Sequence, residues 1–393
     1  MIELTSYFAC RRVEPQPSTR RPQSPTHRQI PIDTQHALPE MTNQQPHLQE
    51  QPQAQRTQAT SNHNPNTLLS TESNSDNQAQ RLAHAQQAWA QLFATPVNRT
   101  YGRRSDESRP IQLTRNNQRR NDPWGDELNE KPDDVTRVYA MNVNGLALDR
   151  RGGRYDTLCE TLKEVQADIF CGQEHNLDSN QTAVRSILFN TSRQHWQRSR
   201  ALFATTPIEF TNAYKPGGTM IMTLDNTTGR IIRQSADKWG RWVSYTYQCA
   251  HNATLSVISA YQVVPMSTAR GTATAAAQQQ CLLMQHEDPI NNPRKAFRRD
   301  LLSFLKKLQS DGDDLLLMGD FNEPLGSEAD GMTFLAAELN LIDLFDSHNS
   351  STKPATYARG STRLDYALAT DKVVASVRHA GYEPFNNRFP TDH

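Results

Sequence analysis

Leu315-Leu316-Leu317-Met318-Gly319-Asp320-Phe321-Asn322 is the stretch that decides the predicted fold. Four consecutive apolar residues are typical of a β-strand that is buried on both faces. The apolar run ends at Gly319, and positions i and i+2 of a strand face the same way. Asp320 and Asn322 therefore present a carboxylate and an amide side by side at the end of a buried strand. Such a pair is suited to orienting a water molecule and to holding a phosphate oxygen.

The composition of the 393-residue chain changes near residue 134. Residues 1–134 are rich in Gln, Asn, Pro, Ser and Arg and contain few large apolar side chains. A segment of this composition buries too little apolar surface to offset the entropy of ordering, so it is predicted to be a disordered arm. Residues 135–393 remain, and a segment of about 260 residues is long enough for one α/β core.

The net charge is zero, so the chain as a whole has no positive electrostatic field that would attract nucleic acid. Arginines nevertheless cluster just before the predicted domain, at Arg103, Arg104, Arg109, Arg115, Arg119 and Arg120. Two interpretations of this cluster stay open. It is either a solvated linker or a flexible arm that adds salt-dependent contacts to a nucleic-acid backbone.

Five cysteines are present, and none of them forms a C-x-x-C pair. The odd number and the apolar surroundings of Cys159 and Cys171 favour reduced thiols in an intracellular protein over a disulfide framework or a zinc site. No apolar run approaches the length of about 20 residues that a membrane span requires. The first ten residues lack the basic start of a signal peptide. We therefore expect no membrane partner.

Apolar patterns predict strands and helices that interleave without strict alternation. The strands are predicted at 138–143, 168–171, 201–205, 219–224, 242–247, 254–261, 364–368 and 373–377. The helices are predicted at 155–165, 297–308 and 334–339, and residues 268–285 are either a surface helix or a mobile flap. This order favours a layered α/β sandwich over a doubly wound Rossmann sheet. Neither G-x-G-x-x-G nor a P-loop motif is present, so a nucleotide cofactor has no support.

Polar residues recur at the ends of the predicted strands: Asn142, Asn144, Glu174, Tyr261, Asp320, Asn322, Asp365, Asp392 and His393. Taken singly, most have an ordinary explanation, such as a turn at Asn144-Gly145. Asp365 is harder to explain, because a carboxylate within a strand needs a partner. His393 is the natural partner for it. Polar groups gathered at strand ends in this order predict a pocket.

The candidate residues suit the hydrolysis of a phosphodiester, which requires charge stabilisation on the phosphate oxygens and an activated water. Mg²⁺ is commonly held by one or two carboxylates together with water and a substrate phosphate. We therefore predict a Mg²⁺ site, with Mn²⁺ as the alternative ion, on Glu174 and Asp392. Asp320 would orient or deprotonate the water, and Asn144 would support the site.

Hydrogen-bond donors to the phosphate are also available among the candidates. Asn142, Tyr261 and Asn322 can each donate to a phosphate oxygen. His393, held in place by Asp365, can donate to another. The predicted catalytic residues are therefore an acidic residue that activates the water, an Asp–His pair, and amide and phenol groups that donate hydrogen bonds to the phosphate.

The motifs between about residues 137 and 393 resemble those of the endonuclease/exonuclease/phosphatase superfamily. They are Met141-Asn142-Val143-Asn144-Gly145, Gln173-Glu174, Tyr261, Gly319-Asp320-Phe321-Asn322, Arg363-Leu364-Asp365-Tyr366 and Thr391-Asp392-His393. The resemblance implies a DNase-like fold, which is a four-layered α/β sandwich of two mainly antiparallel sheets packed face to face, with helices outside. It also implies a metal-dependent phosphodiesterase.

Within the superfamily, the Asn-x-Asn-Gly opening and Thr356-Tyr357 look most like endonuclease domains of LINE-type (non-LTR) retrotransposons. These domains nick target DNA to prime reverse transcription. The resemblance therefore implies a Mg²⁺-dependent DNA endonuclease, with a nuclear location if the substrate is genomic DNA. Three alternatives stay open: an inositol-phosphate phosphatase, an RNA exonuclease, and an inactive truncated remnant.

Three departures from the family pattern bear on these alternatives. Tyr261 is followed by Gln262-Val263-Val264, where DNA-repair members usually carry Pro and then Asn. His175 replaces the Thr that often follows the Q-E motif. The sequence stops at His393, whereas relatives continue into a last core strand. We therefore expect the domain at 135–393 to be truncated before that strand.

Overall fold

The computed structural model describes residues 1–5, 124–149, 153–209, 214–265, 274–348 and 354–393. Within these ranges the strands are β1 Ile2–Thr5, β2 Trp124–Gly125, β3 Val135–Asn142, β4 Ile169–Gln173, β5 Ser199–Ala204, β6 Thr219–Leu224, β7 Ile231–Ala236, β8 Trp242–Gln248, β9 Thr254–Tyr261, β10 Asp314–Asp320, β11 Ile342–Asp343, β12 Asp365–Ala369 and β13 Val377–Tyr382. The α-helices are α1 Arg154–Glu164, α2 Thr182–His195, α3 Ala275–Gln285, α4 Pro293–Ser310, α5 Met332–Glu338, α6 Leu344–His348 and α7 Asp371–Ser376.

Among the described residues, the strands form two sheets. One has seven strands in the order β2-β13-β1-β3-β4-β6-β5, and the other has six in the order β11-β12-β10-β9-β8-β7. The sheets pack face to face, because their inward side chains belong to one shared apolar cluster. Helices α1 and α2 cover the outer face of the seven-stranded sheet, and α4 and α5 cover that of the six-stranded sheet. The four-layered α/β sandwich predicted from the sequence is confirmed.

Strand β10 shows how the apolar pattern specifies the layers. Leu316 and Met318 contribute to the core between the sheets, whereas Leu315 and Leu317 pack against the outer helices. All four side chains are buried, as the uninterrupted apolar run predicts. Each such side chain contributes about 1.5–3 kcal/mol when it leaves water. The strand is therefore fixed from both sides, and the residue at its end has a fixed position.

Most neighbouring strands are antiparallel, as predicted, but each sheet contains one parallel pair within the described ranges. In the pair β3–β4, Asn142 lies opposite Gln173. In the pair β9–β10, Tyr261 lies opposite Asp320. The two pairs face each other, since β10 packs on β3 and β4 packs on β9. Parallel strands end at the same edge of a sheet, so four strand ends converge at one edge of the sandwich.

The amino-terminal residues differ from the prediction of a disordered arm through residue 134. Ile2–Thr5 form β1, which lies in the seven-stranded sheet between β13 and β3. Trp124–Gly125 form β2 beside β13. Ile2 and Leu4 pack in the core between the sheets, and their burial offsets the entropy of ordering this short strand. The rest of the predicted arm, with its arginine cluster, lies outside the described residues.

Several other elements differ from the prediction, which contained no counterpart of α2, α6 or β11. The segment 373–377, predicted as a strand, is helix α7 as far as Ser376, and β13 begins only at Val377. A short apolar run does not distinguish a strand from a helical turn, and here Thr370 sits at the helix N-cap position. Strand β7 has no counterpart in the prediction, because its side chains are half-buried or exposed and show no apolar alternation.

Part of the segment 268–285, which was predicted to be either a surface helix or a mobile flap, forms helix α3. Residues from Ala275 are helical, and the Thr274 side chain accepts a hydrogen bond from the Ala277 backbone N–H as an N-cap. Leu282 and Leu283 are buried in an apolar cluster, so one face of the helix packs against the rest of the domain. Residues 266–273 lie outside the described ranges. Across the helices that the structure does describe, none combines the length and the apolar character needed to cross a bilayer.

Candidate active site

Asp320 lies at the centre of the converging strand ends. Its carboxylate is fully buried and accepts a hydrogen bond from the Asn142 amide across the two sheets at 2.9 Å. The Asn322 backbone N–H donates to the same carboxylate at 2.9 Å, and the Asn322 side-chain amide donates at 3.2 Å. Burial and repulsion from Asp365 raise the pKa of Asp320 to about 8, against the opposing charge of His393. A carboxylate in this environment readily accepts a proton.

Asp365 and His393 form the contact that the sequence predicts. The first residue of β12 faces the last residue of β10, which places Asp365 beside Asp320. The Asp365 carboxylate lies 3.0 Å from His393 Nδ1, and His393 Nε2 lies 3.9 Å from the Asp320 carboxylate. Burial disfavours the imidazolium, but the neighbouring Asp365 and Asp320 charges outweigh that effect and raise the pKa of His393 to about 10. His393 is therefore protonated at neutral pH.

Thr356 and Tyr357 support this pair from the preceding loop. The Thr356 hydroxyl accepts hydrogen bonds from the backbone N–H groups of Leu364 at 2.9 Å and of Asp365 at 3.0 Å, which fixes the start of β12. The Tyr357 ring lies against the His393 imidazole with 5.1 Å between ring centroids. The Thr356-Tyr357 dipeptide noted in the sequence thus contacts both members of the Asp–His pair.

The Asp365→Asn variant is expected to lower the pKa of His393 from about 10 towards the ordinary value of 6.5, because the largest favourable charge is removed. The folded-state pKa lies above the unfolded-state value, so protonated His393 stabilises the fold fully below pH 6.5, and this contribution is lost as pH rises through about 10. Titration of the His393 ring by NMR, with urea unfolding at several pH values, measures both effects. Asp371→Asn, at the exposed start of α7, is the control, and a His393 pKa unchanged in Asp365→Asn would contradict the assignment.

Glu174 lies at the end of β4 with a positive φ of 51° and is hydrogen-bonded by the Tyr261 hydroxyl. Burial raises the pKa of Glu174, while the bonds from Tyr261 and Asn142 and the charge of His393 oppose the rise. The charge of Asp392 also raises it. Glu174 is thus held by the Tyr261 hydroxyl, whereas Asn142 donates to Asp320 on the other strand end.

Asn144 and Asp392 lie at the exposed rim of the site. The Asn144 amide donates to the Asp392 carboxylate at 2.8 Å. The Asp392 backbone carbonyl accepts from the Ala358 N–H at 2.8 Å, and the Thr391 hydroxyl donates to the Asn142 carbonyl at 2.7 Å. These bonds fasten the segment that carries His393 to the end of β3. All nine sequence-predicted residues thus lie in or beside one site.

The ligand atoms of Asp320, Asp365 and His393 lie within 4.8 Å of one another, which is the spacing of a metal site, but His393 would ligate a metal only as the neutral imidazole. This set differs from the predicted pair of Glu174 and Asp392. Of the predicted pair, Glu174 directly follows β4, and the Asp392 carboxylate accepts a hydrogen bond from Asn144, just after β3. Oxygen donors of this kind suit Mg²⁺.

A buried network behind Asn322 has no counterpart in the sequence-based prediction. The Gln262 backbone carbonyl accepts from the Asn322 amide at 2.8 Å, and the Gln262 side-chain amide donates to the Phe321 carbonyl at 2.6 Å and to Glu323 at 2.7 Å. Arg294 and Arg298 donate to the same Glu323 carboxylate at 2.8 and 3.0 Å. Gln262, where DNA-repair members usually carry Pro, thus helps to fix the loop that presents Asp320. Arg294 and Arg298 are four residues apart on α4, and this helical spacing is the signal that the sequence offered.

His175, the other departure from the family pattern, is structural. Its Nδ1 accepts from the Leu177 backbone N–H at 3.0 Å, and its Nε2 lies 3.1 Å from the Ala204 carbonyl. Burial lowers the pKa of His175 to about 4, so the ring is neutral at physiological pH. The imidazole closes the loop after β4, and its bonds leave no free nitrogen for catalysis.

The chain is similar to one known protein family and to several solved structures. The model of the Endonuclease/Exonuclease/phosphatase family matches residues 140–393. A search of curated proteins found no match. Similar solved structures include the human Nocturnin catalytic domain with bound sulfate (20% identity, 66% of this chain and 91% of that chain covered, TM-score 0.42). They also include the AP endonuclease LMAP from Leishmania major (14%, 65% and 84%, 0.48) and the Xenopus laevis APE2 catalytic domain (16%, 61% and 83%, 0.41).

Proposed function

Because this chain belongs to the endonuclease/exonuclease/phosphatase family, we propose that it hydrolyses phosphodiester bonds in DNA as a metal-dependent endonuclease. Family membership places it among nucleases and phosphatases, whose shared substrate is a phosphate ester. The observation that carries the finer proposal is the contact of Asp320, Asp365 and His393. A buried carboxylate with a raised pKa lies next to an imidazolium held by a second carboxylate.

The proposed reaction divides its tasks between Asp320 and His393. Asp320, in its ionised form, accepts a proton from water as the water oxygen attacks phosphorus, and the raised pKa makes this carboxylate a stronger base. His393 donates a hydrogen bond to a non-bridging phosphate oxygen and stabilises the developing negative charge. The phosphorus–oxygen bond to the leaving group then breaks, and the leaving oxygen keeps the electron pair and takes a proton from solvent. Asp365 holds the imidazolium in place throughout.

The side chains predicted to donate hydrogen bonds to the phosphate also position the carboxylates of the site. In this structure Tyr261 donates to Glu174, Asn142 donates to Asp320, and Asn322 donates to Asp320 and to the Gln262 carbonyl. These groups therefore position carboxylates, and we propose that they contact phosphate oxygens only after substrate has entered. Positioning of this kind reduces the reorganisation that the reaction requires.

The donor chemistry of the site fits a divalent cation. Glu174 carries a carboxylate whose pKa is raised by burial and by the charge of Asp392, so a cation beside it would relieve an unfavourable interaction. Glu174 and Asp392 would hold Mg²⁺ or Mn²⁺, with the Asp320, Asp365 and His393 set adjacent to it. When bound, the ion neutralises charge on the phosphate and on the leaving oxygen.

DNA is the preferred substrate, in a retroelement-like setting, because the Asn142-Val143-Asn144-Gly145 opening and Thr356-Tyr357 resemble the sequence of LINE-type retrotransposon endonuclease domains. The arginine cluster at 103–120 would add contacts to the DNA backbone. A genomic target would require a nuclear location.

A substrate panel tests the proposal. Purified chain is expected to convert supercoiled plasmid to the open-circular form with Mg²⁺ and not with EDTA, and to act more slowly on poly(A) and on soluble inositol phosphates. Gel electrophoresis and phosphate release measure these activities side by side. Preferred cleavage of poly(A) or of inositol phosphates would move the protein to another branch of the family. A folded chain inactive on all three would favour the inactive remnant.

A further inference from the structure

Strand β1 fills a gap in the seven-stranded sheet. It is antiparallel to β3 on one side, where Ile2 lies opposite Val138, and to β13 on the other, where Ile2 lies opposite Ala380. In the described sheet β3 and β13 are joined only through β1. We call the space between them the strand slot. Without β1, the slot would expose the unpaired backbone groups of two internal sheet edges.

The fit of β1 to the strand slot is specific in charge as well as in shape. Ile2 and Leu4 point into the core between the sheets and are 3% and 1% exposed. Glu3 points the other way and is 3% exposed. Its carboxylate accepts from Arg137 at 2.6 and 2.9 Å and lies 2.8 Å from the His379 ring. The slot therefore requires the alternation apolar, acidic, apolar.

Arg137 makes an empty strand slot unfavourable. Its guanidinium is 1% exposed, and Glu3 is the acidic group with which it is paired. Its other bonds go to the backbone carbonyls of Val165 at 2.5 Å and Asn129 at 2.7 Å. A buried cation that loses its carboxylate is strongly destabilising. The slot is thus built to bind an acidic strand.

Strand β1 is distant in sequence from everything that it contacts. Glu3 contacts Arg137, which is 134 positions away in sequence, and His379, which is 376 positions away. Closing a loop of this length costs entropy, so the covalent link between β1 and the rest of the domain adds little to the free energy of docking. The strand is therefore held mainly by its non-covalent contacts, as a bound peptide is.

We propose that the strand slot is a peptide-binding site of the strand-addition type, and that residues 2–5 of the same chain occupy it as a separable ligand. Occupancy is coupled to the candidate active site. Strand β3 ends at Asn142, and a cavity of about 110 Å³ is lined by Met1 and Ile2 as well as by Asn142, Asp365 and His393. An effect of β1 on catalysis rests on the proposed function, whereas the binding of β1 to the strand slot does not.

The first experiment weakens β1 within the full chain. Glu3→Arg places a second guanidinium beside Arg137 and next to the His379 ring, and Glu3→Gln is the matched control that keeps the shape. A fluorescein-labelled peptide of residues 1–7 is then added, and its anisotropy is measured. Folded Glu3→Arg chain is expected to bind the peptide at least about tenfold more tightly than the unmodified chain, whose slot is occupied. Failure of folded Glu3→Arg chain to bind, or equal binding of a peptide carrying the same Glu3→Arg change, would overturn the proposal.

A cross-linking experiment covers the case in which Glu3→Arg does not fold. Met1 and Gly381 exchange both backbone hydrogen bonds, so the next pair, Ile2 and Ala380, is the close, non-hydrogen-bonded type that accommodates a disulfide. In the full chain carrying both Ile2→Cys and Ala380→Cys, oxidation is expected to give a cross-linked monomer. A cross-linked dimer would overturn the assignment of the occupant, because a second copy would then supply β1. Absence of any cross-link to the Ala380→Cys thiol in mass mapping would overturn the strand-binding site itself.

Discussion

His393→Ala is expected to reduce plasmid nicking by about 10²- to 10⁴-fold, the range for loss of a proton-donating or proton-accepting group. The imidazolium is held by Asp365 at 3.0 Å and points its other nitrogen towards Asp320, so its loss removes the positive charge from the reacting phosphate. Asp320→Ala is expected to cause a loss of similar size, because it removes the group that accepts the proton of water. Initial nicking rates at saturating Mg²⁺ measure both effects.

His286→Ala is the matched control, since His286 is exposed and stacks on Trp239 away from the site. It should nick at the unmodified rate. Circular dichroism and thermal unfolding establish that each variant is folded. Nicking by folded His393→Ala or Asp320→Ala at the unmodified rate would eliminate the proposed roles.

Gly319→Ala is expected to destabilise the fold by more than about 3 kcal/mol, beyond the usual range for overpacking. A Cβ at this position would lie 1.9 Å from the Ala260 carbonyl oxygen and 2.8 Å from the Ala260 carbonyl carbon. These are backbone atoms of the paired strand β9, so the clash is relieved only if β9 and β10 separate. Separation would also move Tyr261 away from Asp320, and nicking should fall together with stability.

Gly229→Ala provides the comparison for Gly319→Ala. Its added Cβ meets no atom within 4 Å, so its free energy of unfolding should stay within about 0.5 kcal/mol of the unmodified value. Urea denaturation of the two variants measures the difference. A Gly319→Ala chain as stable as Gly229→Ala would mean that β9 and β10 do not approach as closely as described.

The sequence predicted the centre of the molecule well because there the local pattern and the tertiary environment agree. The apolar run of β10 is buried on both faces, and Asp365 has the histidine partner that a carboxylate in a strand requires. The apolar runs of β6 and β9 coincide with their strands for the same reason. Where burial alone decides a residue's environment, the pattern of apolar residues was sufficient.

The remaining features depend on partners that are distant in sequence. Ile2–Thr5 is too short to show a period, and only β3 and β13 make it a strand. Glu323 gains its partners from α4 and from Gln262, which no local pattern connects. Segment 373–377 has an apolar pattern that fits two kinds of element, and packing of Val373 in the core selected the helix.

The position of β1 has a consequence during synthesis on the ribosome. Glu3 and His379 are separated by 376 positions, so at about 5–20 residues per second the first strand waits roughly 20–75 s for its second neighbour. During that interval Ile2 and Leu4 have no completed core to enter, and the Arg137 side of the sheet is formed before the β13 side. The nascent chain therefore exposes an apolar strand and an open sheet edge for most of its translation, which is the kind of surface that chaperones bind.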